Sequence, residues 1–363
     1  MTSDPGLAGW LQLTLTPGLG AATLRGLLQK YGLPENVLTV ARAELARQIG
    51  PATLQALDSP GVASAVERAL AWLAQPGHSI VTLADAAYPR LLLEIADPPA
   101  LLYCRGRAEL LNRPALAVVG SRNATAQGAS NAEQFSRAFS AAGLTIVSGL
   151  AQGIDAAAHR GGLAADGATI AVLGTGVDSV YPKVNAALAE EIAAHGLLVS
   201  EFPLGTQALA HHFPRRNRLI SGLAQGCLVI EAALGSGSLI TARSAAEQGR
   251  EVFALPGSIH SPLSKGCHKL IREGAKLVET AQDILDELKF PAVAPAPAPR
   301  PDAGVADRTA ASVLAALGDA PVDADTLGLR CGLSVALVRA ALTALELDGG
   351  VAALPGGRWQ RLY

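Results

Sequence analysis

Between about residues 115 and 288, short β-branched or apolar runs alternate with alanine-rich stretches at helical spacing. The runs are Ala115–Val119, Thr145–Val147, Thr169–Leu173, Gly196–Ser200, Cys227–Glu231, Glu251–Leu255 and Ala275–Val278. Each strand of such a repeat must pair with the next parallel to itself, because a helix-length segment separates them. Right-handed crossovers then place helices on both faces. The pattern predicts an α/β fold with a doubly wound, mostly parallel sheet.

The flanks read differently. Residues 1–77 carry short helical patterns broken by Gly and Pro (Leu7–Thr14, Ala21–Tyr31, Ala43–Ile49, Ala52–Leu57, Val62–Ala74), and 78–112 reads as a connection into the main domain 78–289. The Pro/Ala alternation over 290–305 predicts a semi-rigid spacer. Residues 306–363 read as three helices and two short strands around Pro355-Gly356-Gly357, a winged-helix pattern. A chain of 363 residues accommodates this division, and its 50% hydrophobic content supplies the cores.

In a doubly wound sheet the loops at the carboxyl ends of the strands share one edge, where ligands bind. Here those loops are Gly120-Ser121-Arg122-Asn123, Ser148-Gly149-Leu150-Ala151-Gln152-Gly153, Gly174-Thr175-Gly176-Val177-Asp178 with Tyr181-Pro182-Lys183, Ser200-Glu201-Phe202-Pro203, Glu231 to Ser238, and Pro256-Gly257-Ser258. Glycine admits close backbone approach and helix N-termini carry partial positive charge, so the edge suits an anion or nucleotide-like ligand. No GxxxxGK[ST], GxGxxG after the first strand, GxSxG or HExxH is present. The pattern favours binding phosphate over transforming it.

Net charge is −2, so a polyanion binder of this composition must concentrate its cations locally. One segment does: His211-His212-Phe213-Pro214-Arg215-Arg216-Asn217-Arg218, in a stretch with no acid between Glu201 and Glu231, reads as a basic loop on the same edge. Its arginines suit a phosphate backbone and Phe213 offers a stacking face for a base, with Arg122 and Lys183 extending the track. By itself the segment also reads as a solvated basic turn with Phe213 tucked into the core.

The motifs taken together resemble the bacterial DNA-processing protein A (DprA, or Smf) family. The resemblance rests on Val119-Gly120-Ser121-Arg122, Ser148 to Asp155, Gly174 to Asp178, Tyr181-Pro182, Ser200-Glu201-Phe202-Pro203, Phe213 to Leu223, Glu231-Ala232, Ser236 to Ala242, Gly249 to Ala254 and Pro256-Gly257, in family order over about 115–280. It implies an extended Rossmann-like fold that binds single-stranded DNA, forms a homodimer, and helps load the RecA recombinase onto DNA taken up in natural transformation. No catalysis and no cofactor or metal is implied. The family's binding residues carry over best to Arg122, Phe213, Arg216 and Arg218; with the edge loops, the candidate contacts are Gly120, Ser121, Arg122, Gly149, Lys183 and the segment His211, His212, Phe213, Arg215, Arg216, Asn217 and Arg218. One departure is His211-His212, where many family members carry Lys or Arg; binding should then strengthen below pH ~6.5, the unperturbed histidine value.

A second reading keeps the edge but makes it an enzyme acting on a nucleotide or phosphoribosyl compound, with Glu231, Asp155, Asp178 and His159 as acid–base groups. Their alternative role is capping and loop hydrogen bonding. At the N-terminus, Leu15-Thr16-Pro17-Gly18-Leu19-Gly20-Ala21-Ala22-Thr23-Leu24 resembles the hairpin of a helix-hairpin-helix or SAM-like domain, or is a plain helix–helix turn. In the tail, Ser334–Leu347 carries Arg339 as its one cation, which favours a protein-interaction or regulatory module over a groove reader. The four cysteines form no CxxC pair, and no apolar run reaches the roughly 18–20 residues of a membrane span. The expected setting is the reducing cytoplasm.

Overall fold

The structure is a computed structural model that describes residues 5–290, 305–318 and 320–362; most of the expected Pro/Ala spacer, 291–304, lies outside the described residues. The chain opens with α1 (Pro5–Leu15), α2 (Ala21–Tyr31), α3 (Pro34–Thr39), α4 (Arg42–Ile49), α5 (Pro51–Leu57) and α6 (Pro60–Leu73). Then come β1 (His78–Thr82), α7 (Arg90–Leu93), β2 (Leu101–Gly106), β3 (Ala115–Gly120), α8 (Ala126–Ala141), β4 (Thr145–Ser148), α9 (Ile154–Leu163) and β5 (Thr169–Val172). The main domain continues through α10 (Ala186–His195), β6 (Leu197–Ser200), α11 (His212–Gly222), β7 (Gly226–Ile230), α12 (Ser238–Glu247), β8 (Glu251–Ala254), α13 (Lys265–Arg272), β9 (Lys276–Leu277) and α14 (Ala281–Glu287).

All seven runs of the sequence pattern are strands of one sheet, ordered β1-β2-β6-β5-β4-β3-β7-β8-β9. From β6 to β9 every pairing is parallel, with Val118 opposite Leu228 and Ile146 opposite Thr169. Strands β3 to β7 are buried on both faces almost throughout, which is why they read as continuous apolar runs. The chain builds outward from β3 through β4, β5 and β6, then returns to the other side of β3 for β7. That reversal between β3 and β7 is a topological switch point, where a crevice opens at the carboxyl ends.

Two expectations need correction. The stretch 78–112 is more than a connection: β1 and β2 extend the sheet beyond β6, with β2 antiparallel to both neighbours. The basic segment is not a loop: from His212 onward it forms the first two turns of α11. Pro214 sits in the first turn, where a missing N–H costs no intrahelical bond.

The N-terminal helices bury Trp10, Leu11, Leu24, Val37, Leu45 and Trp72 in a cluster that also contains Tyr103, Leu173 and Leu198 of the main domain. They therefore pack onto the sheet. In the tail, α15 (Val305–Leu317), β10 (Val322–Asp323), α16 (Ala324–Cys331), α17 (Val335–Leu347), β11 (Val351–Leu354) and β12 (Arg358–Arg361) form a small unit with a three-stranded sheet and a core of its own. Among the described residues no single helix is long and apolar enough to cross a membrane.

Candidate nucleic-acid interface

A cavity of about 710 Å³ opens at the switch point, lined by the turn after β3, the turn after β7 and one face of α11. The α11 face is Phe213, Arg216, Asn217 and Ile220, the i, i+3, i+4, i+7 stripe that one side of a helix presents. Opposite it, Gly235 to Ser238 lead into the N-terminus of α12, whose N-cap residue Gly237 supplies no side-chain cap. That end carries partial positive charge. A contiguous hollow of about 180 Å³ shares Arg122, Ala151, Tyr181, Phe213 and Arg216 with the cavity and adds Gly149, Gln152 and Pro182.

Of the residues anticipated from sequence, Gly120, Ser121, Arg122, Phe213, Arg216 and Asn217 line the cavity and Gly149 the hollow. They do different things there. Arg122 is exposed and has no carboxylate partner among the described residues; its guanidinium lies 5.8 Å from the Phe213 ring centroid. Arg216 is 4% exposed, and its Nη1 donates to the carbonyls of Gly149 (2.7 Å) and Val172. Burial lowers its pKa to about 10, with Asp155 opposing the shift, so it stays cationic at neutral pH. It forms the floor. Asn217 reaches across to Gly237 O at 3.4 Å and accepts from Arg216 Nε at 3.1 Å. Ser121 is buried and its Oγ accepts from the Asn123 amide, fixing the turn.

The two glycines owe their presence to internal packing. A Cβ on Gly120 would lie 1.8 Å from Ile230 O, and one on Gly149 would lie 2.6 Å from Arg216 Nη2. The space their missing side chains leave is taken by the protein itself, whereas the sequence reading reserved it for ligand.

Lys183, His211, His212, Arg215 and Arg218 do not line either space. Arg215 and Arg218 both donate to Oε2 of Glu201, whose side chain is 3% exposed, and Arg218 also pairs with Asp97, itself bridged to Arg25 of α2. The segment is acid-free in sequence but not in space. Its back face is an ion-pair network joining α11 to the N-terminal helices. His212 stacks on Phe202 at 4.3 Å, and burial, helped by neighbouring His211, holds its pKa below the usual value. Its protonated form therefore enters at lower pH than the sequence suggests. His211 and Lys183 are exposed.

The four candidate acid–base groups are each engaged in local structure. Glu231 accepts from the amide (2.9 Å) and hydroxyl of Thr125, the N-cap of α8. Asp178 accepts from the Gly205 amide at 2.9 Å. Asp155 accepts from the amides of Gly149 (3.1 Å) and Ala151 (3.4 Å), and burial raises its pKa. His159 is fully buried, with Nε2 accepting from Leu150 N and Nδ1 2.7 Å from Thr169 Oγ1, and burial pushes its pKa down to about 3.

Sequence reasoning placed Tyr181, Ser236 and Ser238 in the edge loops but gave them no contact role; Tyr181 borders both spaces, and the two serine hydroxyls are 2.7 Å apart at the α12 end. Tyr181 stood beside a Gly-rich loop without a charge to mark it.

The family model for DNA recombination-mediator protein A matches residues 79–289, and that for the DprA winged helix domain matches 291–357. The chain is 45% identical to Protein Smf of Escherichia coli over 298 residues, 80% of each chain. Among solved structures it resembles DNA processing protein A from Streptococcus pneumoniae (TM-score 0.68, 41% identity, 81% of this chain and 100% of that one). It also resembles DNA processing protein A from Helicobacter pylori, whose structure addresses its single-stranded-DNA binding mode (TM-score 0.54, 30% identity, 59% of this chain and 98% of that one).

Proposed function

The chain belongs to the DNA recombination-mediator protein A family, and we propose that it binds single-stranded DNA across the switch-point cavity and delivers it to recombination without turning it over. The observation that carries this reading is the convergence of Arg122, Phe213, Arg216 and Asn217 on one open cavity beside the N-terminal end of α12. An exposed unpaired arginine, a buried cationic floor and aromatic rings suit a flexible strand, which offers phosphates and base faces together. Non-catalytic action is supported by the local hydrogen bonding of Glu231, Asp178, Asp155 and His159.

The strand-binding mode of the Helicobacter pylori relative and the family's description as recombination mediators support a role in processing DNA that enters by transformation. In this reading the protein acts as a homodimer in the cytoplasm, where incoming strands meet a RecA-type recombinase, and helps load that recombinase.

A salt titration on labelled single-stranded oligonucleotides tests the site. Each phosphate neutralised contributes about −0.7 to the slope of log K against log salt, so Arg122→Ala should make the slope shallower by about that amount. An unchanged slope and affinity would remove Arg122 from the interface.

A further inference from the structure

The cavity that gathers the cations has an apolar rim. Leu209 is 49% exposed and sits between Ala208 and Ala210, both of which line the space. On the facing wall Leu234 is 61% exposed between the lining residues Ala233 and Gly235. Ile240, in the first turn of α12, lines the space itself and is still 41% exposed. A lone leucine in solvent is ordinary, since folded surfaces carry many. Three large aliphatic side chains left in water around one mouth, from both sides of it, form a patch, and such a patch beside polar groups marks a contact surface. The fold itself does not call for them. The turns that carry Leu209 and Leu234 are held by backbone bonds, His212 N to Leu209 O and Ser236 N to Ala233 O, both 2.9 Å.

The occupant follows from what lies between these side chains. Arg122, exposed and without a carboxylate partner among the described residues, stands in the same cavity, so the ligand must offer negative charge and apolar surface within one short span. A duplex turns its phosphates outward and hides its base faces in the stack, whereas a single strand shows both at every nucleotide. We infer that Leu209, Leu234 and Ile240 form a selectivity rim: bases flanking the nucleotide in the cavity lie on it while Arg122 meets the phosphates, and the interface thereby prefers single strands to duplex. The inference rests on the single-stranded-DNA reading and deepens it, by naming the residues that choose the form of the strand. Aliphatic contact reads no donor or acceptor pattern, so the rim accepts any base sequence.

The experiment compares the full chain with a triple variant, Leu209→Ser, Leu234→Ser and Ile240→Ser, at low salt on three ligands. These are a base-bearing single strand, a strand of equal length and charge with abasic residues in its central part, and the duplex of the first. Loss of three aliphatic contacts should weaken binding of the base-bearing strand about tenfold or more. Affinity for the abasic strand and the duplex should stay at the wild-type value, and so should the unfolding midpoint, because the three side chains are exposed. The apolar exchange Leu234→Ile with Ile240→Leu should keep wild-type affinity throughout. An equal loss on the base-bearing and abasic strands would show a structural role and overturn the assignment, as would no loss on the base-bearing strand. A matching loss on the duplex would overturn the selectivity. Failure of the wild-type chain to bind any single strand would instead overturn the single-stranded-DNA reading itself.

Discussion

The guanidinium of Arg216 donates to the carbonyl oxygen of Gly149 at 2.7 Å, so this arginine of the basic segment is built into the floor of the cavity. Its removal leaves two carbonyls and the buried Asp155 without their cation. Each buried group left unsatisfied costs about 1–3 kcal/mol. Arg216→Ala should therefore lower unfolding free energy by about 3 kcal/mol or more in urea titrations, whereas Arg122→Ala should stay within about 0.5 kcal/mol of wild type. Equal stability of the two variants would contradict the division between floor and rim.

The other two arginines of the segment should behave differently from Arg122. Arg218→Ala leaves the buried Glu201 with only the half-exposed Arg215 as partner, so unfolding free energy should fall by about 1–3 kcal/mol. The salt slope of strand binding should not change. Arg215 is half exposed, and Arg215→Ala should cost at most about 1 kcal/mol. A shallower salt slope in either variant would place that arginine on the DNA track.

His159 gives a pH signature. Its folded pKa of about 3 lies below the unfolded histidine value of about 6.5, so the unfolded chain takes up the proton first. The stability it contributes is complete above pH ~6.5 and is lost as pH falls toward 3. His212, also shifted down, acts in the same sense. Asp155, shifted up, acts in the opposite sense and at the acidic end. Denaturant midpoints measured from pH 7.5 to 5 should fall steadily in wild type and fall less in His159→Asn, whatever the latter's baseline.

Gly120→Ala should be among the most damaging single-methyl additions in the chain. The new Cβ would meet a backbone oxygen of β7 at 1.8 Å and the Ile154 side chain at 2.6 Å. Neither can give way without moving the switch point. A loss above about 4 kcal/mol, seen as collapse of soluble yield or of the thermal transition, is expected. A variant that folds with normal stability would mean β3 and β7 can part more readily than their register suggests.

β3 to β7 were legible because full burial writes itself as apolar runs closed by Gly and polar residues, and the strand–helix alternation carried the reading on to the partly exposed β8 and β9. β1 and β2 were not, because an antiparallel extension breaks the strand–helix alternation and here is interrupted by Asp97-Pro98-Pro99. In the site, the residue types could be read but not their directions. Arg215, Arg216 and Arg218 lie within one turn of α11, and the 100° step between successive helical residues sends them to the back, the floor and the back again. Reading the segment as a loop hid that phase. Glu201 sits before the acid-free stretch, and nothing in the linear sequence shows that it folds beneath two of the arginines.

That buried carboxylate has a kinetic consequence. With Arg215 and Arg218 compensated by Glu201 and Asp97, and a net charge of −2 overall, the protein presents little long-range field to draw in a polyanion. Encounter should therefore proceed at the unsteered rate of about 10⁵–10⁶ M⁻¹s⁻¹ and respond weakly to ionic strength. Tight binding must then come from slow release, so the lifetime of the complex, set inside the cavity, would govern how long a captured strand stays bound.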